Sequence, residues 1–214
     1  MKIAVLISGS GSNLQALIDT AASGSLDADI AVVLSNKAEA YGLERAADAG
    51  IATAIVDHRD FEQRKDFDRA LLAALQPYAV DLVILAGFMR ILTPTFIGAY
   101  RGRLLNIHPS LLPKYPGLNT HQRAIDAGDS WSGATVHFVT EELDGGPPII
   151  HARVPVEDGD TPERLAARVL EKEHLIYPLA AQWFAEGRLT LGNSGAELDG
   201  KLLPVGGASL EDYS

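Results

Sequence analysis

Asn106 and His108 have the types and spacing to do chemistry together. They lie in Leu104-Leu105-Asn106-Ile107-His108-Pro109-Ser110-Leu111-Leu112-Pro113, which begins like a strand. Side chains two apart in a strand leave on the same face. Asn106 and His108 therefore project together, and Leu105 and Ile107 turn the other way into packing. Pro109 has no N–H and cannot continue a central ladder, so the strand ends there. The amide offers two N–H donors and an acceptor, and the imidazole can gain or lose a proton near neutral pH. In an open parallel sheet, ligands bind outside the C-terminal strand ends. A buried polar pair satisfied by loop backbone is the competing reading, and the pair alone does not separate the two.

A second candidate follows the first strand. Ile3 to Ile7 is a short continuous apolar run, as in a strand buried on both faces, and Ser8-Gly9-Ser10-Gly11-Ser12-Asn13 comes next. Leu14, Leu17, Ile18 and Ala21 then recur at helical spacing. A glycine-rich turn opening a helix brings backbone N–H groups to an anion, helped by the helix N-terminus. Ser12 or Asn13 is the expected cap. Leu14 stands where a dinucleotide fingerprint needs glycine, and Gly-Lys-Ser/Thr is absent, which argues against NAD and ATP loops. A tight strand-to-helix connection remains the rival reading.

These loops need a scaffold, and the remaining pattern describes one. Further strands are expected at about Ile30–Leu34, Ile51–Val56, Leu82–Ala86 and Arg103–His108. Helices fall between them: 38–49, closed by Gly50; one capped by Asp60 with Phe67, Ala70, Leu71, Ala74 and Leu75 as its core face; and a short one from Thr93-Pro94 to Tyr100. Arg64 lies off that core face and reads as a surface charge. Gly87-Phe88-Met89-Arg90-Ile91-Leu92 is unusually apolar for a loop, so it is either core packing or the lining of an apolar pocket. Beyond a short helix around His121–Ala127, two strands at Ala134–Thr140 and Ile149–Val156 suggest antiparallel, half-exposed additions. His121 reads as a cap or an active-site neighbour, with the cap the favoured reading, and His137 and His151 as packing or surface residues. Thr161-Pro162 opens a long helix that Pro178 should kink or restart. Asp199-Gly200 signals a hairpin in the tail. The fold expected is α/β: a Rossmann-like, doubly wound, mostly parallel sheet with antiparallel C-terminal strands, flanked by helices. Residues 1–191 read as a single domain and 192–214 as a tail.

Bulk properties exclude several classes. The 214 residues contain no cysteine, so disulfides and thiolate chemistry are ruled out, in keeping with a cytoplasmic setting. Net charge is −10 without a basic block, which argues against nucleic-acid binding. The N-terminal apolar run is too short for a signal segment, and none is long enough for a membrane span. No histidine pair has helical metal-site spacing, so no metal is expected.

Three clusters then stand together: Gly9-Ser10-Gly11-Ser12-Asn13, Asn106-Ile107-His108-Pro109-Ser110-Leu111-Leu112-Pro113, and Leu143-Asp144-Gly145-Gly146-Pro147. Their order and spacing resemble the folate-dependent formyltransferases over about residues 1–190. Glu173-His174-Leu175-Ile176-Tyr177-Pro178 resembles the purine-synthesis branch of that family. The resemblance implies transfer of a formyl group from 10-formyltetrahydrofolate, a co-substrate, to the glycinamide amine of 5'-phosphoribosylglycinamide. It implies that Asn106 and His108 stabilise the tetrahedral intermediate and that Asp144 raises the His108 pKa. It places the ribonucleotide on Gly11, Ser12, Asn13 and Glu173. It places the folate on Arg64, Met89, Arg90, Ile91, Leu92, Asn106, Thr140, Glu141, Glu142 and Leu143. Small-molecule substrates are the implied partners of a monomer or homodimer.

Two positions depart from the family pattern: Leu170 replaces a Lys or Gln near the phosphate, and Asn119 replaces a common histidine. Among related families, methionyl-tRNA formyltransferase carries an added C-terminal domain and formyltetrahydrofolate hydrolase an N-terminal regulatory one. The sequence starts its first strand at Lys2-Ile3 and stops at Ser214, so both are expected to fit less well. A non-catalytic phosphate- or folate-binding module is the rival of another class.

Overall fold

The computed structural model describes residues 1–213. The chain divides into two compact units, Met1–Asn106 and Ile107–Ser214.

The first unit is built on parallel strands: β1 (Lys2–Ile7), β2 (Asp29–Ser35), β3 (Thr53–Ile55), β4 (Leu82–Leu85) and β5 (Leu104–His108), whose last two residues begin the second unit. They pair in the order β5-β4-β1-β2-β3, all parallel. The chain winds outward from β1 to β3 and returns to β4 on the other side of β1. The strand order thus reverses between β1 and β4, the switch point where such sheets bind ligands. Ile3, Ala4, Val5, Leu6 and Ile7 are wholly buried, which explains why β1 reads as an unbroken apolar run. Each isoleucine or leucine hidden this way contributes roughly 1.5–3 kcal/mol.

Helices α1 (Ser12–Ala22), α2 (Gly42–Asp48), α3 (Arg64–Leu75) and α4 (Pro94–Ala99) connect the strands. Several boundaries differ from the sequence expectation for identifiable reasons. Neither Ser12 nor Asn13 caps α1; Gly11 does, in the left-handed region. Helix α2 starts at Gly42 rather than Ala38. Before it, the Ser35 hydroxyl donates to the Lys37 carbonyl and accepts the Lys37 N–H, fixing a turn that competes with helix. Strand β3 is shorter than expected because the Ile51 N–H closes the end of α2 by donating to the Ala46 carbonyl. Asp60 caps no α-helix. It lies in a single 3-10 turn, His58–Asp60, whose cap is Asp57, and α3 opens four residues later.

The second unit contains α5 (Thr120–Asp126), β6 (Trp131–Phe138), β7 (Pro148–Pro155), α6 (Pro162–Ala185), β8 (Leu189–Leu191), β9 (Ala196–Leu198), β10 (Lys201–Leu202) and β11 (Ala208–Ser209). Strands β6 and β7 are antiparallel, and β11 joins β7 in parallel, a pairing that two residues of sequence did not signal. Strand β7 keeps some alternation, with Arg153 exposed, but β6 is buried from Ser132 to Phe138 instead of half-exposed. Helix α6 packs on both. Thr161 caps α6 by accepting the Arg164 N–H at 3.3 Å, and Pro162 takes the first turn. Pro178 neither ends nor restarts α6, which continues to Ala185. Tyr177, Pro178, Ala180, Ala181 and Trp183 are buried, and that packing outweighs the backbone hydrogen bond proline removes. Strands β8, β9 and β10 form a separate antiparallel sheet, with Asp199 and Gly200 both at positive φ in the tight turn from β9 to β10. Among the described residues, no helix is long and apolar enough to cross a membrane.

Candidate active site

The first unit places two loops at its switch point. The turn after β1 is clamped from behind: Gly42 donates its N–H to the Gly9 carbonyl at 3.0 Å, and the Arg45 Nε–H donates to the Ser10 carbonyl at 2.8 Å. Gly11 sits at φ 69°, and a Cβ there would come within 2.7 Å of the Gly42 Cα, so only glycine fits. Asn13 is buried and Ser12 half-buried at the start of α1, where first-turn N–H groups lack partners within the helix. This is the form of an anion cradle.

The second loop, residues 87–92, leaves the end of β4. Phe88 and Leu92 are buried, while Met89 (61% exposed) and Ile91 (54%) present apolar side chains to solvent, and Arg90 is half-buried. Core packing therefore accounts for Phe88 and Leu92 but not for Met89 and Ile91. Ser8 joins the two loops: its hydroxyl accepts the Met89 N–H at 2.8 Å and donates to Asn36 Oδ1. Ser8 and Asn36 escaped the sequence reading. Their only signal was a small polar residue directly after a buried strand. Arg64 is exposed at the first position of α3, and Asn106 is half-buried near the end of β5.

The second unit gathers the histidine chemistry. The His108 side chain is 7% exposed and its Nδ1 lies 3.4 Å from Asp144 Oδ2. Its Nε2–H donates to the Tyr115 carbonyl at 2.7 Å, since a carbonyl only accepts. Asp144 Oδ2 also accepts the Gly117 N–H at 2.8 Å, and its Oδ1 lies 3.9 Å from His137 Nε2. The carboxylate thus lies between two imidazoles and accepts one backbone N–H, with its own side chain 8% exposed. His137 is held below the usual histidine range chiefly by burial, so it stands neutral beside Asp144. His121 is also pushed down, by burial and then by the charge of His108, and its Nδ1 is buried without a hydrogen-bond partner. His121 and His137 therefore belong to this cluster; the sequence offered His121 as a cap or an active-site neighbour and His137 as a surface or packing residue.

Backbone geometry aims Asp144. It adopts φ 51°, a left-handed conformation that Asp and Asn tolerate better than most residues. A Cβ at Gly146 would collide with the Phe138 carbonyl oxygen at the end of β6, so glycine is required for the chain to pass there. Gly146→Ala is expected to destabilise the protein by about 2 kcal/mol or more, a collision-type loss readable by chemical denaturation. Thr140 is half-buried, Glu141, Glu142 and Leu143 are exposed, and Glu173 is buried on α6. Leu170 is half-buried one turn before Glu173. Among the described residues, no group of three or more His, Asp or Glu side chains is set to hold a metal ion.

The first unit thus holds a parallel sheet with a glycine turn at its switch point, and the second a buried histidine–carboxylate pair. Residues 1–181 match the Formyl transferase family, and the chain belongs to it. It is similar to the phosphoribosylglycinamide formyltransferase of Escherichia coli, with 54% identity over 212 residues covering 99% of this chain and all of the relative. The solved phosphoribosylglycinamide formyltransferase of Coxiella burnetii superposes with a TM-score of 0.93 at 50% identity, covering 98% of both chains. A glycinamide ribonucleotide transformylase from Symbiobacterium toebii gives 0.90 at 48% identity, covering 92% of this chain and 93% of that one. The chain is accordingly a transferase of the formyltransferase type in purine biosynthesis.

Proposed function

We propose that this protein transfers the formyl group of 10-formyltetrahydrofolate to the glycinamide amine of 5'-phosphoribosylglycinamide. The observation that carries the chemistry is the buried His108–Asp144 pair, two residues along the chain from the Asn106 amide. The amine attacks the formyl carbon and forms a tetrahedral intermediate whose oxygen becomes anionic. Asn106 donates an N–H to that oxygen, and protonated His108 donates a second hydrogen bond. The amine nitrogen loses a proton, N10 of the folate gains one, and the carbon–N10 bond breaks, giving the formamide and tetrahydrofolate. His108 relays protons in this exchange as general acid. Asp144 orients the ring through Nδ1 and offsets the imidazolium charge. In the structure the Tyr115 carbonyl occupies Nε2, so substrate takes over that hydrogen bond when the site engages.

Gly11, Ser12 and Asn13 take the phosphate in this reading, in keeping with the clamped turn and open helix start, and Glu173 takes the ribose hydroxyls. Met89 and Ile91 offer the apolar edge for the pterin, with Arg90, Leu92 and Asn106 completing that side; buried Leu92 serves by fixing the loop. Thr140, Glu141, Glu142 and Leu143 provide backbone and side-chain contacts to the folate. Arg64, exposed, meets its anionic tail weakly. Leu170 offers the phosphate no side-chain contact, so the turn carries that charge. The test is tetrahydrofolate release by purified protein with and without the ribonucleotide. Release only when the ribonucleotide is present is the expected result. Equal release in its absence marks a hydrolase, and none in either case marks a binding module.

A further inference from the structure

The apolar loop is tethered at its far end by a residue that neither the chemistry nor the substrate contacts above require. Asp68 is 0% exposed on α3, an unusual place for a carboxylate. Its Oδ2 accepts both the backbone N–H and the hydroxyl of Thr93 at 2.6 Å, and its Oδ1 is buried without a hydrogen-bond partner. Burial pushes its pKa up more strongly than the Thr93 hydrogen bonds pull it down. Thr93 is the cap residue of α4, yet its side chain makes no cap hydrogen bond to that helix, because the hydroxyl is turned to Asp68. A half-satisfied buried carboxylate is a poor stability device, since an apolar side chain would pack there at lower cost. What it supplies is position. The neighbouring Phe67 stacks on Phe88 at 6.5 Å and 8°. Helix α3 thus grips the loop at Phe88 and again just beyond Leu92, while Ser8 holds Met89 between them.

We infer that Asp68 is a positioning residue for the folate. Through Thr93 it fixes the loop that presents Met89 and Ile91, and it sets that loop's spacing from Arg64, one turn earlier on the same helix. This rests on the folate reading of the loop.

Steady-state kinetics with each substrate varied in turn test it. Asp68→Ala is expected to raise the KM for 10-formyltetrahydrofolate about tenfold, leaving the KM for the ribonucleotide and kcat within about threefold. Thr93→Val, which loses only the hydroxyl, gives a smaller rise in the same KM, and Thr93→Ser restores it. Equal changes in both KM values, or none, overturn the inference, since a merely structural tether does not discriminate between substrates. Should Asp68→Ala fail to fold, the Thr93 pair decides alone. Wild-type protein that does not saturate with the folate refutes the reading of the loop itself. Wild-type saturation with unchanged variants refutes only the role of Asp68.

Discussion

His108→Ala is expected to lower kcat by about 10²–10⁴-fold, the range a positioned proton-transfer group supplies. No neighbour substitutes for it: His137 is held neutral by burial on the far side of Asp144, and burial also holds His121 down. The fold should survive. The lost ring strands the Tyr115 carbonyl and removes one neighbour of Asp144, a loss of about 1–3 kcal/mol. For a chain of this length that lowers the Tm by roughly 2–4 °C per kcal/mol. Kinetics paired with a thermal melt separate the two effects. A kcat within about tenfold of wild type, in a variant with the expected melt, removes His108 from the mechanism.

Asp144→Asn is expected to lower kcat by about 10²-fold or more, with small changes in either KM. The substitution isolates charge. Asparagine tolerates the left-handed backbone at φ 51° and its amide oxygen still accepts the Gly117 N–H. What disappears is the anion 3.4 Å from His108 Nδ1. Asp144→Ala adds backbone strain and an unpaired Gly117 N–H, so it should lose stability as well. Comparison of kcat and melting for the two variants reads the electrostatic and structural parts separately. An asparagine variant with wild-type kcat would leave Asp144 as a turn residue only.

Much of this architecture was legible because the signals were local. Thr161-Pro162 and Asp199-Gly200 encode their helix start and turn within a few residues. The burial of β1 and the shared face of Asn106 and His108 follow from strand periodicity. The features that escaped depend on partners distant in sequence. Ser8 meets the loop 81 residues away, and Asp68 meets Thr93 25 residues away. The Asp57 cap displaced Asp60 because a three-residue turn, not the long helix, needed it. Helix α6 runs through Pro178 because burial around it overrides local propensity. Gly11 caps α1 because close approach of Gly42 permits no side chain there. The proposed substrates rest on family resemblance, since periodicity and spacing carry no record of what a pocket binds.

Transfer of a one-carbon unit to an amine is tested by following that carbon. 10-Formyltetrahydrofolate labelled in its formyl carbon is incubated with the protein and 5'-phosphoribosylglycinamide, and the products are separated. The label is predicted to appear on the ribonucleotide, in equal amount to the tetrahydrofolate released. Label recovered as formate, with the ribonucleotide unmodified, would show hydrolysis in place of transfer.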